Sequence, residues 1–326
     1  TNPVNTFCSY VPTFLSQTQK KVWKGLIRVR KASSTWNDNA SVTQIKSRSM
    51  LTRSAKRLWR HKLGKFGLFI ICGIIFSAAL APVISPHDPT HVYYEAVLIP
   101  PSPEFPFGTD EIGRCILSRT IYGARVSLQI VFVAIIASLF IGSIIGMVSG
   151  YFGGWIDDVF MRIMEGLLSF PMIVLALAII AVLGPSLINA MVALAVVNTP
   201  GFARLIRGQV LSIKQMDYVQ AARALGVSDF WIMCRHIWPS VGGNVIVYAS
   251  LRGSSALITE SALSFLGLGV QPPTPAWGYM VAIGMQYWNE WWISFFPGLA
   301  IFLAVLGLNF FGDALRDAMD AKLQDN

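Results

Sequence analysis

Residues 217–239 read DYVQAARALGVSDFWIMCRHIWP, a polar, breakable stretch in a chain that otherwise favours lipid. Residues 218–225 are dense in helix formers, enough for about two turns. Gly226 tolerates the positive φ that ends such a helix. Ser228 or Asp229 is placed to cap a second short helix running through Trp231, Ile232 and Arg235. Pro239 suits the start of the next apolar helix, where a missing N–H costs nothing. The pattern predicts two short helices set at an angle, facing water between two membrane spans. That is a shape for docking.

Working outward, the chain has 326 residues, of which 54% are hydrophobic and 13% charged. Soluble domains carry about 25% charged residues, so roughly half the usual solvating surface is missing. The apolar runs are continuous and do not alternate, which selects helices over a barrel. The first run begins near Phe66, too late for a secretory signal. The expected fold class is all-α: a polytopic membrane protein with six transmembrane helices.

The formal net charge is +9, but its distribution argues against nucleic acid. Residues 1–65 hold 14 of the 26 Lys and Arg and a single acid, Asp38. A basic block directly before a span suits the positive-inside rule and anionic headgroups. Residues 23–28 and 51–65 mix aromatics and aliphatics with cations, as interfacial helices do. The lipid bilayer is therefore the predicted partner of this region. The four cysteines lie far apart and read as small apolar fillers.

Six spans are predicted in order. The first covers 66–84, closed by Pro82 and Pro86. An acidic outer loop, 85–125, precedes the second span, 126–148. There Gly142, Gly146 and Gly150 form a face that lets another helix approach closely. The third span is 163–183, with a kink at Pro171. The fourth is 187–205, the fifth begins at Val241, and the sixth is 295–311. Residues 66–312 then form the membrane domain, with a coupling loop at 206–239 and a second outer loop at 267–292. Residues 313–326 form a C-terminal tail. Residues 267–292 contain no Lys or Arg and carry four tryptophans, an outer aromatic belt. Arg204, Arg207, Lys214, Arg223 and Arg235 mark the opposite, cytoplasmic side, on which both termini are expected.

No G-x-x-x-x-G-K-[ST], H-E-x-x-H or G-x-S-x-G occurs, so no catalytic residues, bound nucleotide or bound cofactor are expected. His87 and His91 share the outer loop, but two histidines without a third ligand rarely make a metal site, and none is predicted. Charged or polar groups inside spans are costly and mark paths. Arg252 and Glu260, eight residues apart, together with Asn198 and Thr199, are the candidate path-lining residues. An ordinary kink at Pro200 with satisfied polar groups accounts equally well for the latter pair.

Gln220-Ala221-Ala222-Arg223-Ala224-Leu225-Gly226, with Pro239 thirteen residues on, resembles the EAA loop of ABC importer permeases. Phe107-Gly108-Thr109-Asp110-Glu111-Ile112-Gly113-Arg114 is similar to the outer motif of the C-type permease of dipeptide, oligopeptide and nickel importers. So are the runs 263–278 and 312–318. The resemblance spans about 51–322. It implies a coupling helix, with Tyr218, Gln220, Ala221, Ala222, Arg223, Gly226, His236 and Pro239 meeting a separate ATPase. It implies an outer gate or docking motif at Gly108, Thr109, Asp110, Gly113 and Arg114. It further implies a homologous B-type permease, two ATPase subunits (homo- or heterodimer) carrying ATP and Mg, an external substrate-binding protein, and a bacterial-type inner membrane. Gln220 stands where the family usually has Glu, and Cys115 where it usually has Asp. Peptide is the expected substrate, with nickel or a metal chelate as the rival. A receptor or scaffold without transport is the reading from another class, separable by whether an ATPase and a second permease co-purify.

Overall fold

Water does not press apolar helices together inside lipid, so their packing depends on how closely backbones approach. The computed structural model describes residues 62–320, and there glycines make that approach. The helices, in order, are α1 (Lys62–Ala79), α2 (Ala81–Ile84), α3 (Ile116–Phe152), α4 (Gly154–Leu168), α5 (Met172–Leu183), α6 (Leu187–Ile213), α7 (Asp217–Ala224), α8 (Asp229–Ile232), α9 (Trp238–Phe265), α10 (Trp277–Gly284) and α11 (Trp292–Asp320). Among the described residues the β-type pairing is an isolated bridge, Thr109 to Cys115.

The central pair is α3 against α6. A Cβ added at Gly142 would stand 2.6 Å from the Phe202 Cβ and 2.9 Å from the Thr199 carbonyl oxygen. One at Gly150 would stand 2.9 Å from the Val210 Cβ. Side chains at these positions would force the helices apart. Ser138 Oγ donates to the Ala195 carbonyl at 3.0 Å, a polar bond across the same seam. Phe202, Ile206 and Val210 extend the core to Val241, Val245 and Leu257 of α9. The first and last helices also meet closely: a Cβ at Gly67 of α1 would lie 2.7 Å from the Phe310 Cβ of α11. Outward, Phe69 and Phe76 of α1 and Phe132 and Phe140 of α3 are exposed, an apolar exterior suited to lipid.

The fold is all-helical as expected, but the spans differ. Among the described residues four helices are long and apolar enough to cross a membrane: α1, α3, α6 and α11. The predicted third span is broken. Its halves α4 and α5 meet at 94°, and counting them as one span gives five. α4 ends at Leu168 with Ser169 as its C-cap, and Pro171 occupies the N-cap of α5, so the kink becomes a corner. The predicted fifth span, α9, has 28 residues, about 42 Å of helix, yet Arg252, Glu260 and its serines make it less apolar than the other four. α3 runs 37 residues, because its apolar part continues a polar first stretch from Ile116. The outer loop therefore ends at Cys115 and not Arg125. α6 continues eight residues past its predicted end, and the sixth helix extends through the predicted start of the tail. The interfacial helix expected at 23–28, most of that at 51–65, and the last six residues lie outside the described region.

Gly142→Leu is expected to destabilise the purified protein by about 1–3 kcal/mol, the usual cost of overpacking. Gly166→Leu, where an added side chain meets open space, should leave the melting temperature in detergent near that of the parent. Equal melting of the two variants would show that backbone contact does not hold α3 on α6.

Candidate functional site

The coupling stretch begins where α6 ends. Val219 and Ala222, three apart on α7, are buried against the core. Tyr218, Gln220, Ala221 and Arg223 are exposed on its other faces. Asp217 in the first turn and Arg223 in the last both complement the helix dipole. The helix closes in a Schellman turn: Gly226 N–H donates to the Arg223 carbonyl at 3.0 Å and Val227 N–H to the Ala222 carbonyl at 3.2 Å. Gly226 sits at φ +78° with open space around it, so conformation alone requires glycine there. Ala222 therefore packs inward, and Ala221 and Ala224 are the small residues that α7 presents outside.

The second short helix differs from its prediction. α8 runs through a π turn, Met233–Ile237, directly into α9, so there is one corner, at Gly226. Proline has no N–H to donate and its ring crowds the carbonyl four residues back. Widening the turn just before Trp238-Pro239 absorbs both effects. Pro239 is exposed within the first turn of α9, and His236 is half-buried in the π turn, its carbonyl accepting from Ser240 Oγ at 3.4 Å. Ser228 makes no side-chain cap bond. Asp229 instead accepts a hydrogen bond from the Tyr151 hydroxyl.

That bond belongs to a cluster missed from sequence. Arg223 lies over the Tyr151 ring, 5.6 Å from its centroid, and 3.9 Å from the Asp229 carboxylate. Lys214 Nζ donates to the Gly150 carbonyl at 2.8 Å, and Gln220 Nε2 to the Lys214 carbonyl at 2.8 Å. The amide at position 220 is thus engaged with its own backbone, a donation that a glutamate could not make. Together these contacts tie α7 and α8 to the α3–α4 corner. The one sequence signal was Tyr151, an aromatic directly after the glycine face and before Gly153-Gly154.

The outer motif folds onto itself. Gly108 and Gly113 take φ +75° and +85°. Asp110 accepts from Arg114 Nε at 2.6 Å and from the Arg114 backbone N–H at 2.8 Å, and Arg119 Nε stands 3.6 Å away. Arg114 also reaches Glu111 at 3.0 Å. Burial, and next the Asp110 carboxylate, hold the Glu111 carboxyl above its ordinary range. Thr109 Oγ1 accepts from Ile99 N–H at 2.8 Å, while Trp292 Nε1 donates to the Thr109 carbonyl at 3.1 Å. Thr109, Asp110 and Arg114 are all buried, so their side chains hold the loop together and Ile112 is what it exposes. Cys115 is the N-cap of α3 and makes no cap bond there. His87 stacks on Phe105 at 4.8 Å and His91 meets the Tyr93 ring edge-on at 4.5 Å.

The four candidate path residues do not converge. Asn198 Nδ2 and Thr199 Oγ1 donate back into α6, to the Leu194 and Ala195 carbonyls. Asn198 Oδ1 is buried without a hydrogen-bond partner among the described residues. Glu260 is buried and accepts from Ser264 Oγ at 2.9 Å. Arg252 lies over Tyr248, 5.4 Å from the ring centroid, and its Nε has no hydrogen-bond partner among the described residues. It makes no ion pair with Glu260.

With this geometry in hand, comparison with known proteins gives one answer. Residues 142–325 match the family model "Binding-protein-dependent transport system inner membrane component". Residues 49–101 match "N-terminal TM domain of oligopeptide transport permease C". A dipeptide transport system permease protein of Alkalihalophilus pseudofirmus is 43% identical over 82% of this chain and 89% of its own. A di/tripeptide transport system permease protein of Pseudomonas aeruginosa is 41% identical over 83% and 93%. A glutathione transport system permease protein of Pectobacterium atrosepticum is 38% identical over 87% and 96%. The fold resembles the inward-facing MetNI methionine ABC transporter, with a TM-score of 0.51 at 19% identity, covering 62% of this chain and 97% of that one. The chain is a multi-pass membrane protein that belongs to the family of binding-protein-dependent transport system inner membrane components.

Proposed function

We propose that the chain is one of two permease subunits of an ATP-driven importer of short peptides, with residues 217–239 receiving the push of a cytosolic ATPase. The observation that carries this reading is an apolar patch on an otherwise polar loop. Leu225 is 84% exposed, Phe230 68% and Trp231 53%, beside exposed Tyr218. Large apolar side chains gathered on such a loop mark an interaction surface. The relatives named for di- and tripeptide transport support peptide as the cargo.

In this reading the partners are a homologous B-type permease, a pair of ATPases holding ATP and Mg, and an external binding protein. Both termini lie in the cytoplasm. Closure of the ATPases presses on Leu225 and Phe230. The force passes along two routes. One is the unbroken rod from α8 through the π turn into α9. The other is the Tyr151–Asp229 bond, which pulls the corner between α3 and α4. Gly226 keeps the two arms at a fixed angle. Gln220, held to the Lys214 carbonyl, braces α7 against the end of α6.

The test is reconstitution of the co-purified complex in vesicles with labelled dipeptide, longer peptide and nickel. ATP-dependent accumulation of peptide supports the proposal, while accumulation of nickel alone transfers it to metal import. Absence of an ATPase from the purified material leaves a scaffold.

Two variants probe the mechanics. Gly226→Val places a β-branched residue at positive φ, costing about 1–2 kcal/mol at the corner. Uptake should fall at least tenfold while membrane insertion and ATP hydrolysis persist. Tyr151→Phe removes one hydroxyl and is expected to lower peptide carried per ATP several-fold without changing assembly. An unchanged ratio would remove the α3–α4 route and leave the α8–α9 rod alone.

A further inference from the structure

Between α4 and the inner half of α6 lies a cleft of about 510 Å³, within the usual range for small-ligand pockets. Its charged lining is Asp157, Asp158, Arg162, Glu165, Arg204 and Arg207. Asp157 and Arg207 face each other in a two-pronged pair, with both N···O distances 2.5 Å. The Ser149 hydroxyl adds a further bond to Asp157. The other four groups behave differently. Asp158, Glu165, Arg162 and Arg204 make no side-chain hydrogen bond or ion pair with any described residue. Two carboxylates and two guanidiniums, all exposed, thus border one cleft without a direct ion pair between them, and both carboxylates also act through space on Arg207.

This arrangement selects its ligand by charge. A simple anion would meet two carboxylates, and a simple cation two guanidiniums. A molecule carrying one charge of each sign, a few ångströms apart, satisfies both. A short peptide is such a molecule: its ammonium and carboxylate are separated by about 3.3–3.6 Å per extended residue. Arginine is the better partner for the carboxylate, because its planar fork matches two oxygens at once.

We infer that this cleft is a subsite for zwitterionic short peptides, with Arg162 and Arg204 taking the carboxylate and Asp158 and Glu165 the ammonium. The inference rests on the importer reading and adds a peptide-recognising site within the permease itself.

The test uses the full permease–ATPase complex without binding protein. Binding of radiolabelled dialanine is measured in competition with unlabelled dialanine, its N-acetyl form and its C-terminal amide. The two blocked peptides should compete at least tenfold more weakly. Arg204→Gln should erase discrimination against the amide and keep that against the acetyl form. Glu165→Gln should do the reverse, and Arg204→Lys should restore part of the parent behaviour. Equal competition by blocked and free peptides, or variants that bind like the parent, would overturn the subsite. So would dialanine binding that is displaced by added phosphatidylethanolamine, which would assign the cleft to a lipid headgroup. Uptake with binding protein present separates the two levels. Parent uptake alongside failed binding discriminates against the subsite alone, whereas failure of the parent to import any peptide removes the importer reading and the subsite with it.

Discussion

The contact on which the molecule depends is backbone against backbone, along Gly142, Gly146 and Gly150. In a soluble protein a gap between helices is punished by water, but a lipid tail fills it at little cost. Close contact must therefore be made attractive by dispersion at short range, and only residues without side chains permit it. Because α3 and α6 touch this closely, neither can slide without clashing. The pair moves as one body. Elements attached to its inner end, α7 through Lys214 and α8 through Tyr151, are attached to both helices at once.

That rigidity gives meaning to the softer places. Gly226 is the one corner in the loop, held in a fully bonded turn, so it sets an angle and does not swing. The π turn before Trp238 removes the break that Pro239 would otherwise make, and α8 and α9 transmit force as a single rod. At Gly153-Gly154 added side chains meet no neighbour, so the α3–α4 corner on which Tyr151 pulls has room to turn. At the outer end, the buried Asp110–Arg114–Arg119 cluster does comparable work. Removing one member would strand a buried charge, a penalty of about 3–5 kcal/mol.

Much of this was legible from residue spacing alone. Glycines four apart announced a close helix contact on α3, though not that α6 makes it, and Gly226 after a run of helix formers announced the corner. What stayed hidden depends on contacts between distant parts of the chain. Nothing local marks Tyr151 as the partner of Asp229, 78 positions later. Hydropathy finds the apolar middle of α3 but not its polar first turns, because those are stabilised by the folded outer loop. Pro239 reads as a helix start, and the sequence does not reveal that a widened turn lets the helix begin earlier. The outer motif was expected as a gate or docking surface, and its spacing does not reveal that its charges satisfy one another inside the loop.

The brevity of α5 has a consequence for the barrier itself. Twelve residues make about 18 Å of helix, against about 30 Å of hydrocarbon. With α4 turned 94° away from it, α5 alone is too short to cross the hydrocarbon, and that flank of the barrier has to be completed by the helices beside it.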